Sequence, residues 1–103
     1  MAYQTALIAL GDPTRQRVFE ELRAGPQSVG RLAAKLPVSR PAVSQHLAVL
    51  KKAGLVGDRA DGTRRVYFID PQGLAPIRIW LDQFWEVALT AFQAEVESKA
   101  GAS

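Results

Sequence analysis

The stretch from Ser28 to Leu55, SVGRLAAKLPVSRPAVSQHLAVLKKAGL, constrains the fold more than any other part of this chain. It reads as two short helices joined by a tight turn. In the first, Val29 to Leu36, the apolar residues Val29, Leu32, Ala33 and Leu36 fall at i, i+3, i+4 and i+7 and form one stripe. Ser28 stands where an N-cap oxygen satisfies a free backbone N–H. Pro37 ends the helix, because it has no N–H and disfavours helical geometry at Leu36. Ser39 is the next N-cap, with Arg40 and Pro41 in the following first turn, where those N–H groups lack intrahelical partners and proline is tolerated. Val43, Leu47 and Leu50 then face inward, while Arg40, Ser44, Gln45, Ala48, Lys51 and Lys52 face away. An outer face of Arg, Ser, Gln and Lys around one small residue suits the major groove of a duplex. The predicted motif, residues 28–54, is a helix-turn-helix.

The flanking elements follow from the same punctuation. Tyr3 to Leu10 predicts a short first helix ended by Gly11. Asp12-Pro13 opens a second, an Asp N-cap followed by Pro at the first helical position. Val18, Phe19 and Leu22 give that helix its buried stripe, and Gly25-Pro26 closes it. Ala53-Gly54 stops the outward-facing helix after Lys51 and Lys52, whose charges suit the negative end of the helix dipole. Leu55 to Ala60 and Thr63 to Ile69 read as two strands around Asp61-Gly62, a dipeptide favoured in two-residue hairpin loops. Val66 and Phe68 share one face of the second strand and Arg65, Tyr67 and Ile69 the other. Both faces are partly apolar, which leaves open which one packs on the helices.

Asp70-Pro71 breaks the strand, and a long helix is predicted from Leu74 to about Ser98, with Pro76 acceptable only in its first turn. Its apolar positions, Ile77, Trp80, Leu81, Phe84, Trp85, Ala88, Leu89, Phe92 and Val96, make a stripe too wide for one helix lying on a small core. Both tryptophans and two of the four phenylalanines are here. The surplus is read as a dimer interface, where aromatic residues are enriched, with Ile77, Trp80, Leu81, Phe84, Trp85, Ala88 and Phe92 as its residues. The same aromatics could line a small apolar pocket between subunits; plain interface packing is the simpler account.

At 103 residues the chain is expected to be one domain. It holds no cysteine, which excludes disulfides, thiolate metal sites and a cysteine nucleophile together. No run approaches the ~18 apolar residues of a membrane span, and MAYQTALIALGDP lacks the basic start and apolar core of a secretory signal. A cytoplasmic protein is therefore expected. A net charge of +3 hides a strong polarity: residues 13 to 65 carry eleven Lys and Arg against four acids, and residues 66 to 103 carry two against five. The positive charge falls on the segment read as facing the duplex, as phosphate neutralisation requires.

From Leu10 to Asp70 the chain resembles the ArsR family of transcriptional repressors. The resemblance rests on LGDPTRQRVFEELRAGPQSVGRLAAKL, then VSRPAVSQHLAVLKKAGLV, then RADGTRRVYFID, in that order and at these spacings. It is nearest the branch that carries no metal-binding cysteines and often regulates itself. The resemblance implies a mainly α fold with a two-stranded β-hairpin: a winged helix-turn-helix, order α-α-α-α-β-β-α, with a dimerising terminal helix. The hairpin, residues 55–70, is then the wing, and residues 74–98 the dimerisation helix. A homodimer binding double-stranded DNA at an inverted repeat is the implied function, with its own promoter a natural target.

Base readout then falls to Arg40, Ser44 and Gln45, with His46 a further candidate; Arg pairs naturally with guanine and Gln with adenine. Ser39, Lys51, Lys52, Arg59, Thr63, Arg64 and Arg65 are the candidates for phosphate and wing contacts, which fix register but carry little sequence information. Relatives in this family that sense soft metals often place a Cys-x-Cys pair where this chain has Ser28 and Gly30, and others use Asp, His and Glu on the last helix. Here Asp82, Glu86, Glu95 and Glu97 have no histidine beside them, and the chain's only histidine lies in the reading helix, so neither a metal nor any other cofactor is expected. An enzyme is not expected either: Ser39 and Ser44 have cap and groove explanations, no second histidine can act as base, and no Gly-rich phosphate loop occurs. The other reading is a winged-helix module used for protein–protein contact, which would have no need of the basic outer face. No effector site can be read.

Overall fold

Three short polar side chains divide the first half of the chain into helices. In the computed structural model, which describes residues 2–101, Asp12 caps α2 by accepting from Arg15 N at 2.8 Å. Ser28 and Ser39 do the same for the next two helices, each Oγ accepting a backbone N–H at 3.3 Å. The elements run α1 (Ala2–Ala9), α2 (Pro13–Glu21), a single 3₁₀ turn (Leu22–Ala24), β1 (Gln27–Ser28), α3 (Val29–Lys35), α4 (Arg40–Lys52), β2 (Val56–Asp61), β3 (Arg64–Ile69) and α5 (Pro71–Gly101). Leu36 is already extended, as the residue before a proline should be.

The core forms where α2, α3 and α4 bring Val18, Leu32, Val43, Leu47 and Leu50 together with Leu55, all fully buried. Each such leucine contributes roughly 1.5–3 kcal/mol by leaving water, so the core that holds the helix-turn-helix is built from its own inward stripe. Val18 and Leu22 are buried and Phe19 packs against the same core.

The sheet differs from expectation in two ways. It has three strands, in the order β1-β3-β2, because Gln27 and Ser28 pair with Tyr67 and Val66 ahead of α3. Gln27 is buried, donating to the Glu21 carbonyl at 2.6 Å and accepting from Lys35 Nζ at 2.9 Å. The turn is also displaced by one residue: Asp61 pairs with Arg64, leaving Gly62-Thr63 as the loop in place of Asp61-Gly62. Gly62 has φ 64° and Thr63 a negative φ, the pattern of a type II′ turn with glycine first. Tyr67 and Ile69 pack on the helical core, which decides the face of β3 that points inward.

The last helix begins three residues earlier than expected and runs further. Asp70 Oδ1 accepts from Gln72 N at 2.9 Å, and Pro71 occupies the first helical position, a favourable start. Pro76 is consequently inside the helix, beyond its first turn, and leaves the Gln72 carbonyl without its usual partner. Tyr3 of α1 stacks on Trp80 of α5 with ring centroids 5.7 Å apart, and Trp80 meets Phe84 edge-on at 5.0 Å. No helix among the described residues is long and apolar enough to cross a membrane.

Candidate nucleic-acid interface

Helix α4 divides cleanly into two faces. Val43, Leu47 and Leu50 are wholly buried, which fixes the helix rotation, while Arg40, Ser44, Gln45, Ala48, Lys51 and Lys52 are exposed on the other side. Ser39, expected among the phosphate contacts, holds its hydroxyl on Ala42 N as a cap. Arg40, although exposed, does not extend along the same direction as Ser44 and Gln45. Its guanidinium turns back over Gly30 of α3, so close that a β-carbon there would lie 2.9 Å from Nη2.

His46 lies away from Ser44 and Gln45. It is half-buried, with Nδ1 3.5 Å from Arg15 Nη1, and Arg15 is itself anchored by an Nε bond of 2.6 Å to the Ala9 carbonyl. Asp12 completes this corner. The backbone N–H of Arg15 holds its carboxyl below the ordinary value, with the charges of Arg15 and His46 adding to the effect against a partial burial penalty.

The hairpin stands beside α4 with Arg59, Thr63, Arg64 and Arg65 all exposed at or near its tip. One residue that sequence reasoning passed over joins the two elements. Asp58 on β2 binds Lys51 Nζ through Oδ1 at 2.9 Å and Arg65 Nε through Oδ2 at 3.2 Å. Its carboxyl is held below the ordinary value, first by the hydrogen bond from Lys51 and then by the charges of Lys51 and Arg65, while burial acts in the opposite direction. The signal was present in the pairing: Ala60 opposes Arg65, which places Asp58 diagonally across from Arg65 on one face of the hairpin. Arg31 was also missed. It is exposed on α3, beside Arg40 and Arg64, and nothing in its sequence context marks it as more than a solvated side chain.

On α5, the residues expected at a dimer interface separate into two groups. Ile77 is buried in the protomer's own core and Trp80 is half-buried against Tyr3. Leu81, Phe84, Trp85, Ala88 and Phe92 remain exposed, as do Leu89 and Val96. Among the described residues no three His, Cys, Asp or Glu side chains come together as a metal site would require.

Comparison with known proteins agrees with this fold. Residues 10–57 match the family model described as a helix-turn-helix domain. The chain is 58% identical over 91 residues to the HTH-type transcriptional regulator Rv2034 of Mycobacterium tuberculosis, covering 88% of this chain and 85% of that protein. Among solved structures it is similar to a possible transcriptional regulator for arsenical resistance, with 48% identity and a TM-score of 0.71 over 87% of this chain and 94% of the other. A homodimeric winged helix-turn-helix DNA-binding domain from Mycobacterium bovis, described as a possible ArsR-family regulator, aligns at 25% identity with a TM-score of 0.68, covering 85% of this chain and 82% of that one.

Proposed function

The chain belongs to the ArsR family of winged helix-turn-helix transcriptional regulators, and on that premise we propose that it is a homodimeric repressor of an inverted-repeat operator, its own promoter included. The observation that carries this reading is the two-sidedness of α4. A helix locked to the core by three wholly buried residues presents Ser44, Gln45, Ala48, Lys51 and Lys52 outward, beside a hairpin that carries Arg59, Arg64 and Arg65. Ser44 and Gln45, with Ala48 clearing space between them and the lysines, meet base edges. Lys51, Lys52 and the hairpin arginines meet phosphates. Each good bidentate base contact discriminates by about 1–3 kcal/mol, whereas phosphate contacts supply affinity that falls with salt.

A second copy, joined along the exposed stripe of α5, sets two such helices about a two-fold axis. Helices entering successive major grooves on one side of a duplex require half-sites about 34–36 Å apart. Occupying such a site excludes other proteins from the promoter, and this is how binding becomes repression. The regulated gene follows from the site, so the direct experiment is a gel shift with the DNA upstream of the protein's own coding region, at low and high salt. A retarded band that weakens with salt and survives excess random-sequence competitor is expected. A folded protein that retards no duplex overturns the reading.

A further inference from the structure

The contacts proposed for α4 and the hairpin leave Arg31 and Arg40 without a task. A cleft of about 450 Å³ runs between the start of α3, the start of α4 and β3, and Arg31, Arg40, Arg64 and Arg65 all line it. None of its lining residues is acidic. Asp58 occupies the Nε edge of Arg65, but among the described residues the side chains of Arg31, Arg40 and Arg64 pair with no carboxylate. Asp61 borders Arg31 and Arg64 on their far side, but within the cleft the guanidinium groups meet no counter-charge, and an anion from outside relieves their mutual repulsion. Gly30 is what admits Arg40 to the cleft. A β-carbon there would come within 2.9 Å of Nη2 and 3.3 Å of Cζ, so any side chain at this position displaces the guanidinium.

Resting on the DNA-binding reading above, we infer that this cleft seats one phosphate of the DNA backbone beside the bases read by α4. Arg31, Arg40 and Arg64 are its donors, and Arg40 acts there and not at a base edge. The planar fork of arginine matches two phosphate oxygens at once, which a lysine cannot do. The seat draws on three elements: Arg31 on α3, Arg40 on α4 and Arg64 on β3. A phosphate bound there therefore fixes the angle between the reading helix and the wing as well as adding charge neutralisation. Such contacts set register and carry no sequence information of their own.

The test measures affinity by fluorescence anisotropy across a salt series, on the duplex retained in the gel shift, on single-base variants of it, and on a random-sequence duplex. Arg31→Gln should make the plot of log affinity against log salt shallower by about 1 per protomer on every duplex, with the ranking of base variants unchanged. Arg23→Gln removes the same charge outside the cleft, where Arg23 Nε bonds the Glu20 carbonyl, and should leave the slope as in the wild type. Gly30→Ala separates folding from binding: alanine favours the helix and only the mobile end of Arg40 must move. This variant should melt no lower than the wild type yet bind every duplex several-fold more weakly. Equal slopes for Arg31→Gln and Arg23→Gln overturn the seat. So does an Arg40→Gln variant whose base preference changes at a single position, since that assigns Arg40 to a base. A wild-type protein that binds none of the duplexes overturns the DNA-binding reading, and the seat falls with it.

Discussion

Asp58 is the residue whose chemistry runs against its surroundings, an acid placed between two of the cations proposed to meet phosphate. Although the Asp58 side chain is only 12% exposed, both its cations are more than half exposed, and such pairs add little to stability, so its larger effect should be sought in binding. While Asp58 holds Lys51 and Arg65 together it fixes the wing against α4, and it also offsets part of the charge that attracts any duplex regardless of sequence. Asp58→Asn is expected to strengthen binding to random-sequence DNA and steepen its salt dependence, while narrowing the gap between operator and random duplex. Anisotropy titrations at two salt concentrations measure both, and weaker binding to random DNA would refute the idea. The pH dependence has a definite sign. The folded carboxyl ionises below the ordinary 3.8, so its contribution is present above that value and is lost as pH falls through the lowered one. The wild type should therefore hold a small stability advantage over Asp58→Asn at about pH 6, and the gap between their urea midpoints should shrink as pH falls below 3.8.

At the scale of elements, glycines make contrasting cases. Gly73 lies in the first turns of α5 against the corner after α4, where a β-carbon would fall 1.7 Å from the Gly54 carbonyl oxygen. Backbone cannot yield as a side chain end can, so Gly73→Ala must push α5 off that corner, at a cost of about 3 kcal/mol. Denaturant unfolding should show this loss, in contrast with the neutral or raised stability of Gly30→Ala. The corner also carries the Asp70 N–H to Leu55 carbonyl bond of 2.9 Å, so it is where the long helix is tied to the reading helix and the wing. Elements whose boundaries depend on local chemistry were legible in the sequence: the caps at Asp12, Ser28 and Ser39, the stop at Pro37, and the buried stripe of α4. Features that depend on contacts between distant segments were not. Gln27-Ser28 has no strand pattern and becomes one only because β3 offers an edge. The inward turn of His46 depends on where Arg15 lies, and the folding back of Arg40 on the bare surface of Gly30, neither of which helical periodicity encodes.

For the whole molecule, shape supports the proposed dimer. A compact chain of this length has a radius of gyration of about 13 Å, yet here it is 18.7 Å, with extents of 67 × 27 × 21 Å. The excess is α5, whose 31 residues span about 46 Å at the usual helical rise. Every residue from 81 to 101 is exposed. The apolar stripe that begins buried at Ile77 continues along the same face through Leu81, Phe84, Trp85, Ala88 and Phe92, with Trp85 and Phe92 each 66% exposed. Water against so much aromatic surface is unfavourable, and a second copy of the helix would cover it with a matching stripe about a two-fold axis. Because Trp85 and Phe92 are exposed and lie outside the protomer's core, Trp85→Glu together with Phe92→Glu should leave the helix-turn-helix core folded by circular dichroism while sedimentation reports a monomer. Two half-sites then bind independently, and operator affinity should drop at least a hundredfold through loss of avidity. The wild-type melting temperature should rise with protein concentration, as linked dimerisation demands, and that of the double variant should not. A double variant that still sediments as a dimer would place the interface elsewhere and separate the stripe of α5 from the spacing of the reading helices.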